Sequence, residues 1–142
     1  MSHAFKQKVY YSDTDAYGVV WHGSYLRWLE MGRVMMIENA GYKISELANE
    51  NIVLPVIEMN IKYKNSARLD DTVLIKTEVL NCEKFYITFQ QTITDEKEEK
   101  TYISATVKVV AIDNSGKLYR SLPEPILEIL KQYDSEKSAV LV

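Results

Sequence analysis

Hydrophobic and polar positions along this chain recur at two periods, and the periods separate two kinds of structure. From about His22 to Ala40 the apolar positions recur at helical spacing. Tyr25, Leu26, Trp28, Leu29, Met31, Val34, Met35, Met36 and Ile37 occupy most of the circumference, and Arg27, Glu30, Arg33 and Glu38 supply a polar side. A helix apolar on so many faces is expected to be central and buried. Gly41 supplies its stop, and "YKISELANEN" suggests a short second helix. From residue 56 the period falls to two. In "VIEMNIKYK", Ile57, Met59, Ile61 and Tyr63 alternate with Glu58, Asn60, Lys62 and Lys64. After the turn "ARLDD", the segments "TVLIKTEVL", "KFYITFQQTIT" and "TYISATVKVVAI" read as three more long strands, with charged or polar turns at "DEKEEK" and "DNSG". Pro123 and Pro125 open a last amphipathic helix, "PEPILEILKQY", and the tail "DSEKSAVLV" is expected to fray or to pack as an extra. Ahead of the long helix, "FKQKVYYS" (5–12) reads as a first strand and 13–20 as a turn.

One strand, a long apolar helix and then four strands with tight connections predict an α+β domain with an antiparallel sheet. The element apolar enough to cover such a sheet is helix 22–40, so the sheet is expected to wrap it. A single chain would leave sheet edges open, which makes self-association a natural expectation. The 142 residues fit one domain over 1–142, with no internal repeat, linker or break in composition.

Composition narrows the classes of function. The chain is 46% hydrophobic and 26% charged, in the range of ordinary globular domains. A net charge of -3 argues against a dedicated nucleic-acid binder, which carries a basic surface. No apolar run approaches the roughly 20 residues of a membrane span. The start "MSHAFKQK" lacks the apolar core of a signal peptide, and cytoplasm is the expected compartment. Cys82 is the single cysteine, so an internal disulfide and a thiolate metal cluster are both excluded.

The segment that invites chemistry is "SDTDAYGVVWHGSY" (12–25), a doubly acidic turn set directly before the apolar helix. Three roles fit an acidic turn. Asp13, Asp15 and Gly18 match positions one, three and six of a calcium loop, but Tyr17 and Ser24 stand where the fifth and twelfth ligands belong, so no metal is expected. Either aspartate could instead stabilise a helix N-terminus, although capping does not need two carboxylates. Third, a carboxylate beside a buried helix N-terminus places a base or nucleophile next to oriented N–H donors. That arrangement suits attack on a carbonyl, with no cofactor and no catalytic cysteine. The residues alone leave capping and chemistry level.

"YSDTDAYGVVWHGSYLRWLEMGR" closely resembles the signature of the 4-hydroxybenzoyl-CoA thioesterase family of hot-dog-fold proteins, and most of all its bacterial acyl-CoA thioesterase branch associated with the Tol–Pal region. The shared elements are D-T-D, Gly18, Val19-Val20, His22, Tyr25, Glu30 and Arg33, with "LPVIEMNIKYKNSARLDD" as a weaker second match. The resemblance implies a curled antiparallel sheet round a long helix, assembled as homodimers or homotetramers with sites at the subunit interface. It implies hydrolysis of an acyl-CoA, or of an acyl carrier protein thioester, with Asp15 as nucleophile or general base and Asp13 supporting it. The acyl oxygen would face backbone N–H groups near His22 and Gly23, with Gly18 and Tyr25 lining the site and Glu30 as a further site residue. His22 falls where some relatives carry an aromatic residue, so its backbone N–H is the part expected to act. A dehydratase or hydratase of acyl thioesters and a non-hydrolytic acyl-thioester-binding protein are the rival functions.

Bland roles compete at several of these positions. Glu30 with Arg27 and Arg33 is most simply a structural ion ladder along the helix. Lys62, Lys64 and Arg68 form a basic cluster that could clamp CoA phosphates or be a solvated face. Cys82 reads as a small strand residue.

Overall fold

The helical spacing of residues 22–39 is realised as one element. In the computed structural model, which describes residues 2–133, α1 runs His22–Asn39. It ends through Ala40 and Gly41, whose φ of +100° is the left-handed stop that glycine takes at least cost. Helix α2 (Ile44–Asn49) follows, and α3 (Glu124–Tyr133) closes the described chain. The strands are β1 (Ser2–Lys8), β2 (Val56–Tyr63), β3 (Thr72–Cys82), β4 (Tyr86–Asp95) and β5 (Thr101–Val110). They form one sheet in the order β1-β3-β4-β5-β2, antiparallel throughout. The tail 134–142 lies outside the described residues.

One face of the sheet packs on α1. Val73, Ile75, Thr77 and Val79 of β3, and Ile87, Phe89, Gln91 and Ile93 of β4, point inward at period two and are all buried. They meet a stripe on α1 of Ser24, Tyr25, Trp28, Leu29, Gly32, Arg33, Met36 and Ile37. Helix α3 adds Ile126, Ile129, Leu130 and Tyr133 to the core. The Tyr133 hydroxyl donates to the Met36 carbonyl at 2.6 Å, which fixes α3 against the C-terminal half of α1.

Two expectations are corrected. The first strand spans 2–8, not 5–12. Its pairing with β3 runs from Ser2↔Glu78 to Lys8↔Thr72, where β3 begins, so β1 has no ladder partner beyond Lys8. The backbone then closes on the turn before β3 through Val9 N–H to the Asp71 carbonyl, and makes a single 3-10 turn at Tyr11–Asp13. Helix α1 is also buried along one side only, because one chain's sheet covers one side. Leu26 is exposed, and Met31, Val34 and Met35 are half-buried. The edge strand β2 shares this openness, with Ile57 54% and Tyr63 43% exposed despite its strict alternation.

Candidate active site

The two aspartates of the acidic turn have different surroundings. Asp13 is buried. Its Oδ2 accepts from the Tyr10 N–H at 2.9 Å, and its Oδ1 pairs with the Arg27 guanidinium. Its carbonyl accepts from the Trp21 N–H at 2.9 Å and the Ser24 hydroxyl at 3.0 Å. Asp13 therefore ties the turn to the first turn of α1 by side chain and backbone together. Asp15 is half-exposed and begins a tight reversal. Its N–H donates to the Val19 carbonyl, the Gly18 N–H donates to the Asp15 carbonyl, and its Oδ1 accepts from the Tyr17 N–H at 2.8 Å. Gly18 sits at φ +76°, the conformation this turn requires. The reversal is fixed at its base by the pairings Thr14↔Val20 and Val19↔Arg68. One Asp15 oxygen thus holds the turn, and the residue stays half-exposed.

The reversal leads into α1, whose N-terminus has no side-chain cap and no acidic residue in its first turn. Among the described residues, neither the His22 nor the Gly23 N–H finds an acceptor. Unpaired N–H groups at a helix start carry the positive end of the helix dipole, which favours an oxyanion. The His22 ring is exposed and stacks on Tyr63, with centroids 4.4 Å apart. Tyr25 is buried and its hydroxyl accepts from the Ala67 N–H at 2.9 Å. Burial pushes that hydroxyl above its ordinary titration range, against the opposing effect of the Ala67 N–H.

The ladder expected of Arg27, Glu30 and Arg33 does not form. Arg27 turns to Asp13, and Arg33 is buried and donates from Nη1 to Gln91 Oε1 at 2.9 Å. Burial lowers the Arg33 guanidinium from its ordinary range, with Glu30 opposing. Gln91 also donates to the Leu29 carbonyl and to Thr77 Oγ1, both at 2.8 Å. This buried polar network went unread, though a signal existed. Thr77 and Gln91 are polar residues on the inward phase of otherwise apolar strands, and they lie directly opposite each other. Glu30 and Arg33 also border a groove of about 390 Å³, with Val34, Ile37, Leu54 and Phe89 on its walls.

The three basic residues do not share one environment. Tyr63 faces α1, so Lys62, one residue before it in β2, projects from the opposite face of the sheet, and Lys64 lies just past the end of the strand. Arg68 stands instead beside the reversal, where its backbone pairs with Val19. All three are exposed.

Residues 9–130 match the model of the thioesterase-like superfamily. The chain is 36% identical over 126 residues to the acyl-CoA thioester hydrolase YbgC of Escherichia coli, covering 88% of this chain and 92% of that protein. Among solved structures, a probable thioesterase from Bartonella henselae superposes with a TM-score of 0.74 at 30% identity, covering 86% of this chain and 98% of that one. A 1,4-dihydroxy-2-naphthoyl-CoA thioesterase from Synechocystis shares the fold, with a TM-score of 0.84 at 18% identity over 94% of this chain and 98% of that one.

Proposed function

This chain belongs to the thioesterase-like superfamily, and from that membership we propose that it hydrolyses an acyl-CoA to the free acid and CoA. The antiparallel sheet wrapped on α1 is the hot-dog fold. The observation that carries the mechanism is a half-exposed Asp15 set close in the chain before an uncapped helix start, joined to it by a reversal that Asp13 hydrogen bonds and the positive φ of Gly18 shape. The thioester carbonyl oxygen lies against the His22 and Gly23 N–H groups. Asp15 attacks the carbonyl carbon, giving after thiolate loss a mixed anhydride that water then cleaves to the free acid and the Asp15 carboxylate, or it takes a proton from a water that attacks directly. The tetrahedral oxyanion gathers its charge at those N–H groups, then collapses with loss of the CoA thiolate, which takes up a proton. A thiolate leaves readily, so one carboxylate and an oxyanion site suffice.

Tyr25 supports the site by holding Ala67 beside the reversal, and Glu30 borders the groove beside the later turns of α1. Of the three basic residues, Arg68 pairs with the reversal through its backbone at Val19 and is the best placed to meet CoA phosphate, ahead of Lys62 and Lys64. The protein acts as a homodimer or homotetramer, because β2 and the second apolar face of α1 are left open by one chain. The resemblance of the D-T-D segment supports the Tol–Pal-associated branch, with acyl-CoA as the substrate ahead of an acyl carrier protein thioester. The test is a panel of acyl-CoAs of varied length and aromaticity, followed by release of free thiol. Thiol release from at least one of them supports the proposal. Tight binding without release, or water addition to an enoyl-CoA with the thioester left intact, refutes it.

A further inference from the structure

The chain holds two tryptophans, and they are treated oppositely. Trp28 is fully buried in the core, whereas Trp21, the residue immediately before α1, is 61% exposed. The exposed indole is nonetheless seated. A Cβ placed on Gly23 would stand 2.1, 2.4 and 2.6 Å from Cζ3, Cη2 and Cε3 of Trp21, so the six-membered ring occupies the space that any other side chain at position 23 would need. Helical Cα–Cβ bonds lean toward the N-terminus, so the ring stands over the first turn, where the His22 and Gly23 N–H groups are unpaired. One part of the indole is packed on Gly23 and the rest is open, as a flat apolar wall beside the carbonyl site.

Resting on the thioesterase mechanism proposed above, we propose that Trp21 is a substrate-binding residue that packs against the pantetheine arm of the thioester, and that Gly23 is glycine in order to seat it. The two sides of the site differ in the way this assignment needs. The apolar groove bordered by Glu30 and Arg33 begins two turns further along α1 and offers the acyl group a place inside the fold. Trp21 stands at the solvent-open end, which the thiol arm must pass for its nucleotide to remain outside. The first amide of that arm lies two carbons from the sulfur, within reach of a ring beside the carbonyl. An amide plane on an indole face is a favourable stack that reads no acyl group.

The test uses Trp21→Leu, Trp21→Phe and Gly23→Ala, with butyryl-CoA, benzoyl-CoA and butyryl-pantetheine as substrates. Trp21→Leu raises KM about three- to tenfold for all three, with kcat changed by less than about twofold, and Trp21→Phe recovers most of the loss. Gly23→Ala keeps the N–H but displaces the indole, and raises KM without lowering the melting temperature. In the parent, saturating S-butyl-CoA shields Trp21 from acrylamide quenching while Trp28 stays unquenched throughout. A parental KM in Trp21→Leu overturns the proposal. A rise confined to benzoyl-CoA also overturns it, because the ring then reads the acyl group, and a rise absent with butyryl-pantetheine assigns the contact to the nucleotide instead. If the parent hydrolyses these thioesters and Trp21→Leu matches it, this inference falls alone; if the parent hydrolyses none and binds no S-butyl-CoA, the proposed function falls with it.

Discussion

Replacing Asp13 by Asn should unfold the protein more easily, whereas the same change at Asp15 should not. The Asp13 side chain is 3% exposed and serves two donors, the Tyr10 N–H and the Arg27 guanidinium. An asparagine offers one carbonyl oxygen and turns its NH₂ group toward the other donor, so a buried site loses a charge-assisted hydrogen bond worth about 1.5–3 kcal/mol. The Arg27 side chain is 57% exposed and recovers water, so its half of the ion pair adds little. The bonds to the Asp13 carbonyl are untouched by the change. A loss of about 2 kcal/mol follows, which for a chain of this size lowers the melting temperature by about 6–8 °C. At Asp15 the Asn carbonyl can still accept from the Tyr17 N–H, and the change should stay within about 0.5 kcal/mol. Urea and thermal unfolding followed by circular dichroism measure both. An Asp13→Asn variant as stable as the parent, or an Asp15→Asn variant that loses as much, would refute the division of labour between the two carboxylates.

Gly32→Ala should destabilise although alanine favours helix. The new Cβ would meet Thr77 Oγ1 at 2.6 Å, and Thr77 is held by Gln91, so overpacking of about 1–3 kcal/mol outweighs a propensity gain of about 1 kcal/mol; a melting temperature above the parent's contradicts this. Alkaline pH should unfold the protein partly through Tyr25. Its hydroxyl titrates higher folded than unfolded, so its contribution is complete below the ordinary value of 10.0 and is lost as pH rises through the folded value. A Tyr25→Phe variant should be less stable at neutral pH, having lost the acceptor for the Ala67 N–H, and should lose less on going alkaline; parallel pH–stability curves for the two proteins would contradict the assignment. Sedimentation should show a dimer or larger species at micromolar concentration, and Ile57→Lys on the open face of β2 should shift it toward monomer; a stable, active parent monomer would refute an interface site.

Elements whose signal is local were legible in the sequence. The period and the glycine stop placed α1 within a residue of its observed ends, and alternation with turn residues placed β2 to β5. The contacts that organise the site are not local. Asp13 meets Arg27 across a turn, and Arg33 meets Gln91 from an element 58 residues away, so i,i+3 and i,i+4 spacing pointed to a ladder that tertiary partners outcompeted. Periodicity shows which face of α1 or β2 is apolar but not what covers it. Leu26 and Ile57 accordingly satisfied the pattern and remain in water within one chain. At the candidate site, the D-T-D spacing marked both carboxylates. Their different roles follow from burial, which the sequence does not display.

In the proposed mechanism Asp15 performs the chemistry while the N-terminus of α1 holds the oxyanion. The direct test is kcat and KM of Asp15→Asn against the parent on an acyl-CoA that the parent hydrolyses, with circular dichroism confirming the fold and His22→Phe measured alongside. Asp15→Asn should lose about 10²–10⁴-fold in kcat with KM little changed, and His22→Phe should keep substantial activity because its N–H remains. Asp15→Asn turning over at the parent rate while His22→Phe is dead would contradict that mechanism and make the histidine the base.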